Sequence, residues 1–169
     1  MSLVSVKKAA LLGSLYLAQT VPKGYLKFLP VLMAERGESM LVISSVALFS
    51  MGDWVKPVFG MLVDTKRMSS MQQRKRVIIV IQLMIIATFG LSLFVETPEL
   101  IQLAALFSFC SFLTSMHDTA VDGLAVQLLD QSEQAVGGFG QYAGYKLGSL
   151  LTGGILPSIV GSNHRLLCI

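Results

Sequence analysis

Charge is scarce in this sequence. Only 14% of its 169 residues are Asp, Glu, Lys or Arg, against about 25% in a soluble domain. With 53% hydrophobic residues and a mean hydropathy of +0.68, a whole chain of this kind does not stay in water. Cysteine is scarce too: Cys110 lies in an apolar run and Cys168 in the tail. That excludes a disulfide framework and a metal-spaced cysteine set. No Ser–His–Asp or Cys–His constellation and no phosphate-binding glycine loop is present, which argues against an enzyme and against a bound cofactor. No low-complexity stretch or linker divides the chain, so it reads as one domain. The net charge of +3 does not point to nucleic acid, because the basic excess sits in one short cluster that a membrane explains.

What is present is a series of long apolar runs, near residues 9–33, 41–63, 77–95, 100–128 and 136–160. Polar turns separate them, at Glu35–Ser39, Asp64–Arg76, Glu96–Glu99 and Leu129–Gln134. Lipid offers no partner to a backbone N–H or C=O, so segments of this length are forced into helix. At about 20 residues per span, the chain accommodates about five transmembrane helices. The expected fold is all-α integral membrane, with a helical bundle over residues 1–161 and a short tail over 162–169. Lys7 and Lys8 before an apolar stretch resemble a signal peptide. The stretch is long and lacks a small-x-small cleavage site, so an uncleaved first span is expected.

Orientation follows from the basic residues. Lys7, Lys8, Lys66, Arg67, Arg74, Lys75 and Arg76 fall on one side of a five-span bundle, and only Arg36 and Arg165 on the other. The positive-inside rule then puts the N-terminus in the cytoplasm. The turn around Asp130 and Glu133 has no basic residue of its own, a departure from that rule. The cluster Arg74–Arg76 can bind anionic lipid, though such clusters more often fix topology.

The remaining lysines, Lys23, Lys27, Lys56 and Lys146, fall inside the expected spans together with Asp53, Asp118 and Asp122. Each charge at membrane depth costs about 2.5–3.5 kcal/mol on insertion scales and usually faces a bundle interior or wet cavity. At about 100° per residue, the first helix puts Tyr16, Gln19, Thr20, Lys23 and Lys27 on one stripe. The second aligns Asp53, Lys56, Gly60 and Asp64, and the fourth Ser111, Thr114, Ser115, Asp118 and Asp122. The fifth presents Tyr142, Lys146 and Ser149 on one face and Gly140, Gly144 and Gly148 on the other, where a neighbouring backbone can approach closely. The third has no charge and reads as lipid-facing.

Two readings of these stripes stand side by side. In one, the charges neutralise each other, for example Asp53 or Asp118 with Lys56 or Lys146, as buried opposite charges commonly do. In the other, Lys23 and Lys27, on a helix with no acid, await an anionic ligand or line a water-filled route. One histidine and two aspartates are a thin set for a metal at His117. Asp118-x3-Asp122-Gly123-x-Ala125 loosely matches the membrane phosphatidyltransferase aspartate motif. Its aspartate spacing is one residue too long, Val126 replaces the arginine, and two downstream aspartates are missing, which rejects it.

Gly60-x3-Asp64 followed by Arg74, Lys75 and Arg76 resembles the cytoplasmic loop motif of the major facilitator superfamily. His117-Asp118-Thr119-Ala120-Val121-Asp122-Gly123-Leu124-Ala125 resembles the Gln-Asp-x-Ala-x-Asp-x-x-Ala stretch of its acetyl-coenzyme A transporter and muropeptide permease branch. Tyr145-Lys146-Leu147-Gly148 resembles that branch's Tyr-Lys/Arg-Leu-Gly segment. Tyr16-Leu17-x-Gln19, Pro22, Gly24 and Leu29-Pro30-Val31-Leu32 are similar to its first helix. With Lys56 ahead of Asp64 and Val126-Gln127-Leu128-Leu129, the resemblance is closest to the group called major facilitator superfamily domain-containing protein 3. It covers residues 10–157 and departs from the branch at His117, where glutamine is usual. Lys23 and Lys27 match no pattern of the family.

The resemblance implies twelve spans in two six-helix halves, of which this chain would be an incomplete N-terminal half, to be completed by a C-terminal half. It implies secondary transport by alternating access, with a midplane site for a small solute such as acetyl-coenzyme A or another anionic metabolite. Tyr16, Gln19, Lys23, Lys27, Tyr142 and Lys146 are then expected along the solute pathway. Asp53, Lys56, Asp118 and Asp122 would form an intramembrane ionic network, with a coupling proton or ion as a further partner. A chain of this length also admits another reading: a non-transporting fragment that assembles with, or regulates, a full-length transporter.

Overall fold

The computed structural model describes residues 3–35, 37–50, 56–63, 70–92 and 100–155, and every regular element among them is helical. Helix α1 is Leu3–Glu35, α2 Met40–Ser50, α3 Lys56–Val63, α4 Met71–Ser92, α5 Leu100–Leu128 and α6 Gln134–Leu150, the last running on into a π-helical turn, Leu151–Ile155. Asp53 and Asp64 lie outside the described residues.

The helix ends follow from local chemistry. After α1 the chain turns at Gly37, whose φ of 78° suits a residue without Cβ. The Gly37 N–H donates to Ala34 O and the Glu38 N–H to Met33 O, satisfying two terminal carbonyls. Ser39 caps α2 and Ser70 caps α4, their hydroxyls accepting the Val42 N–H at 3.4 Å and the Gln73 N–H at 3.3 Å. The basic residues Arg74, Lys75 and Arg76, expected in a turn, therefore stand inside the first turns of α4. Serine at position 70 starts the helix before the cluster, and three long side chains are compatible with helix.

Packing is organised by α5 and by the pair α1–α6. Helix α5 touches α1, α2, α3 and α4. Its hydroxyls bond its own backbone, as with Thr114 to Ser111 O at 2.8 Å and Thr119 to Ser115 O at 3.1 Å, so small polar residues are buried without orphaned groups. One apolar cluster joins Leu12 of α1, Ile78 of α4 and Ala120, Val121, Leu124 and Ala125 of α5. A second joins Ile81 and Ile85 of α4 to Cys110 and Leu113 of α5. Phe59 of α3 meets Phe112 edge-on, centroids 4.8 Å apart. Helix α4 is thus not only lipid-facing. Ile78, Ile81 and Ile85 fill the core, while Ile79, Val80, Leu83 and Ile86 stand exposed on the opposite face.

The expected glycine face of α6 packs on α1. A Cβ on Gly140 would strike Ala9 O, and one on Gly144 would strike Gly13 O. At Gly148 it would lie 2.7 Å from Thr20 Cβ, and at Gly13 2.8 Å from Gly140 O. Further along, Thr152 of the π-helical turn lies against Gly24. Two backbones in this contact exclude any side chain between them, the geometry of small-residue packing in membranes.

Among the described residues, no helix is long and apolar enough to cross a membrane. The reason for α1 is composition, not length: its 33 residues exceed the roughly 20 needed, but Lys23 and Lys27 interrupt them. In α5, 29 residues long, Asp118 and Asp122 lie in the second half, after a stretch from Leu100 to His117 without acidic or basic charge. Where those charges go decides what the bundle can do.

Candidate functional site

The stripes of α1 and α5 face each other, and α3 supplies a third side. Asp118 is the hub. Its Oδ2 lies 2.7 Å from Lys56 Nζ of α3 and 3.5 Å from Lys23 Nζ of α1. Its Oδ1 accepts a hydrogen bond of 2.5 Å from the Gln19 side-chain amide. One turn on, the Tyr16 hydroxyl donates to Asp122 Oδ1. Spacing explains the pairing: positions 16, 19 and 23 recur every three to four residues on α1, as do 118 and 122 on α5. Each rung of one helix therefore meets a rung of the other.

The amide orientation settles the state of a third α5 residue. A carboxylate only accepts, so Gln19 presents its NH2 to Asp118 and its carbonyl oxygen to His117. That oxygen lies 2.9 Å from His117 Nδ1, which must then carry the proton. His117 is 1% exposed and its Nε2 has no hydrogen-bond partner. Beside it, Ala18, Gln19, Gln82, Ile85 and Ile86 line a cavity of about 270 Å³ between α1, α4 and α5.

The structure therefore brings together Tyr16, Gln19, Lys23, Lys56, Asp118 and Asp122. Lys23, expected to lack an acid, is paired across the bundle, because α5 supplies the carboxylate that α1 lacks. The charge-neutralising alternative holds for Lys56 with Asp118. Lys27 is exposed. Tyr142 and Lys146 are exposed on the face of α6 turned away from its glycines, with Lys146 Nζ 5.3 Å over the Tyr142 ring. Gly60 has open space around it. Of the basic cluster, Lys75 and Arg76 are exposed, whereas Arg74 is 7% exposed and its guanidinium crosses α5 at Gly123, where a Cβ would overlap it.

Three features escaped the sequence reading. His117 joins the network through Gln19, a contact that needs the register of α1 on α5. Gln82 brings a polar group from α4. At the far end of α1, Lys8 Nζ lies 2.5 Å from Glu133 Oε2 and Ser5 donates to Glu133 Oε1 at 2.8 Å. Lys8 and Ser5, followed by the Asp130 N–H, hold the Glu133 carboxyl below the usual glutamate range.

Polar stripes that meet between helices whose other faces turn apolar side chains outward define the class: an all-helical integral membrane protein. The profile of the BT1 family, a family of membrane transporters, matches residues 36–163, and the chain belongs to that family. It is 31% identical over 148 residues to the Rickettsia felis protein named "Putative transporter AmpG 4", covering 82% of this chain and 35% of that one. A protein of the same name from Rickettsia conorii is 31% identical over 147 residues, with the same coverage. The chain thus spans about a third of the length of the curated relatives it matches. No solved structure matches it.

Proposed function

We propose that this bundle is the N-terminal share of a secondary transporter that works by alternating access and carries a small anionic solute. The observation that carries the reading is the Asp118 hub: two lysines, a glutamine and, one turn on, a tyrosine–aspartate pair, gathered from α1, α3 and α5 inside an otherwise apolar bundle. Ionisable groups at that depth are expensive, and they persist where a pathway or a coupling step uses them. Membership of the BT1 family and the names of the Rickettsia relatives support the transport class. The acetyl-coenzyme A branch rests on the likeness of residues 117–125 and 145–148 to its motifs, and an anion suits the lysines at the hub. Lys23 meets the solute charge with Tyr16 and Gln19 beside it, and Lys27, Tyr142 and Lys146 line the approach. Asp53, Lys56, Asp118 and Asp122 form the coupling network, and Asp64 with Arg74, Lys75 and Arg76 forms the cytoplasmic gate or topology element.

The test is uptake of labelled acetyl-coenzyme A and of simpler anionic metabolites by vesicles holding the full protein. Lys23→Ala is expected to reduce uptake at least tenfold and Lys27→Ala by a smaller factor. Uptake and affinity left unchanged by both substitutions would overturn the solute assignment.

A further inference from the structure

The two nitrogens of His117 meet different surroundings. Nδ1–H donates to Gln19 Oε1 at 2.9 Å, which leaves Nε2 as an acceptor. That nitrogen is buried and finds no donor among the described residues. A buried acceptor without a donor carries its full desolvation cost, so a guest that donates to it gains more than it would from an acceptor already bonded.

The same ring forms part of the wall of the 270 Å³ cavity between α1, α4 and α5. The rest of the lining is apolar except for the amides of Gln19 and Gln82, and no lining residue is an acid, a lysine or an arginine. Walls of this kind suit a small ligand with an apolar body and one or two polar atoms. An ion held there would lose its hydration without gaining a counter-charge in the lining, so the guest is neutral. Volume sets its size. A cavity of about 150 Å³ lined by apolar side chains takes benzene, so this one has room for a ring with a short substituent but none for a whole lipid. Two of the lining residues, Ala18 and Ile86, are exposed, and Ile86 shares its face of α4 with exposed Ile79 and Leu83. A molecule dissolved in the bilayer reaches the cavity from that apolar face.

We propose that this cavity is a binding site for a small neutral hydroxyl compound with an apolar body, a phenol or a short alcohol. Its hydroxyl donates to His117 Nε2, and its oxygen accepts from the Gln82 amide. The site is distinct from the hub: its guest carries no charge, α4 stands where the hub has α3, and Gln19 is the wall between them. It does not depend on the hub carrying an anion.

The chain has two histidines, so His164→Gln leaves His117 as the only imidazole. That protein, labelled with heavy nitrogen in its imidazole and placed in lipid bilayers, is titrated with phenol and followed by solid-state NMR. Before addition, Nδ1 should carry the proton and Nε2 should be unprotonated. Phenol should move the Nε2 resonance toward the hydrogen-bonded range and leave Nδ1 in place. Toluene, of the same size without the hydroxyl, should not move Nε2. It should displace phenol only at about fivefold higher mole fraction in the lipid. Ala18→Phe, which fills the cavity from an exposed position, should abolish the phenol response while Nδ1 keeps its resonance. An Nε2 that carries a proton overturns the proposal, and so does one that phenol leaves unmoved or that toluene moves equally. A response that survives Ala18→Phe puts the phenol elsewhere and overturns it too. The comparison of phenol with toluene needs no substitution in the cavity, so it decides the matter even if Ala18→Phe does not fold.

Discussion

Lys8 Nζ lies 2.5 Å from Glu133 Oε2, which ties the start of α1 to the turn between α5 and α6. That turn has no basic residue of its own, and the contact supplies one from the N-terminal segment. The local departure from the positive-inside pattern is thereby neutralised in space, not in sequence.

The pair sets a pH window. The folded Glu133 carboxyl ionises at lower pH than in the unfolded chain, with Lys8 as the main cause. A depressed folded value means that the stabilisation is fully present above the ordinary glutamate value of about 4.3. It is lost as pH falls through the lower folded value. Thermal melts of the wild type and Glu133→Gln in detergent should differ at neutral pH and converge in acid. Curves that stay equally far apart at every pH would show that the carboxylate is not the cause.

Gly13 and Gly144 are in backbone contact, and that contact sets the separation of α1 and α6. Gly144→Ala should destabilise the bundle by about 2–4 kcal/mol, because the Cβ meets a carbonyl that cannot yield without moving a helix. Gly138, on the same helix with open space around it, is the control. Gly138→Ala should be neutral or stabilise by about 0.5–1 kcal/mol, through the lower entropy of the unfolded chain. Equal melting shifts for the two variants would show that the contact is not limiting.

His117 occupies a place where the resembled branch usually has glutamine, and the structure suggests why either works. The demand is a donor to Gln19 Oε1, met by Nδ1 at 2.9 Å. A glutamine amide meets it too and leaves no imidazole nitrogen without a partner. His117→Gln should keep or slightly raise the melting temperature, whereas His117→Leu should cost about 1–2 kcal/mol by orphaning the Gln19 oxygen. A leucine variant as stable as the wild type would remove the histidine from the network.

The polar faces of α1 and α5 were legible in the sequence because helical period alone places Tyr16, Gln19 and Lys23 on one line and Asp118 and Asp122 on another. The partner of each was not legible. Lys23 reads as unpaired when only its own helix is considered, and its carboxylate lies 95 positions along the chain. The same limit hid Lys8 with Glu133 and the small residues of α1 that receive the α6 glycines. Gly13 is an ordinary helix glycine until the α6 backbone is laid on it, and Gly24 until the Thr152 side chain is. The face of Lys146 could be read, but not that its ammonium group stands 5.3 Å over the Tyr142 ring.

Topology gives a last test, since Lys8, Glu133 and the start of α4 gather at one end of the bundle while Gly37 and Met40 follow the opposite end of α1. If the positive-inside reading holds, the first end is cytoplasmic. Met40 is 79% exposed and Ser132 is also exposed, so both accept cysteine without disturbing the core. In a background with Cys110→Ala and Cys168→Ser, a membrane-impermeant maleimide applied to sealed inside-out vesicles should modify Ser132→Cys and spare Met40→Cys. Right-side-out vesicles should give the reverse. Labelling of both from one side would break the parity of spans between them, and the swapped pattern would invert the bundle and put the basic start of α4 on the outer face.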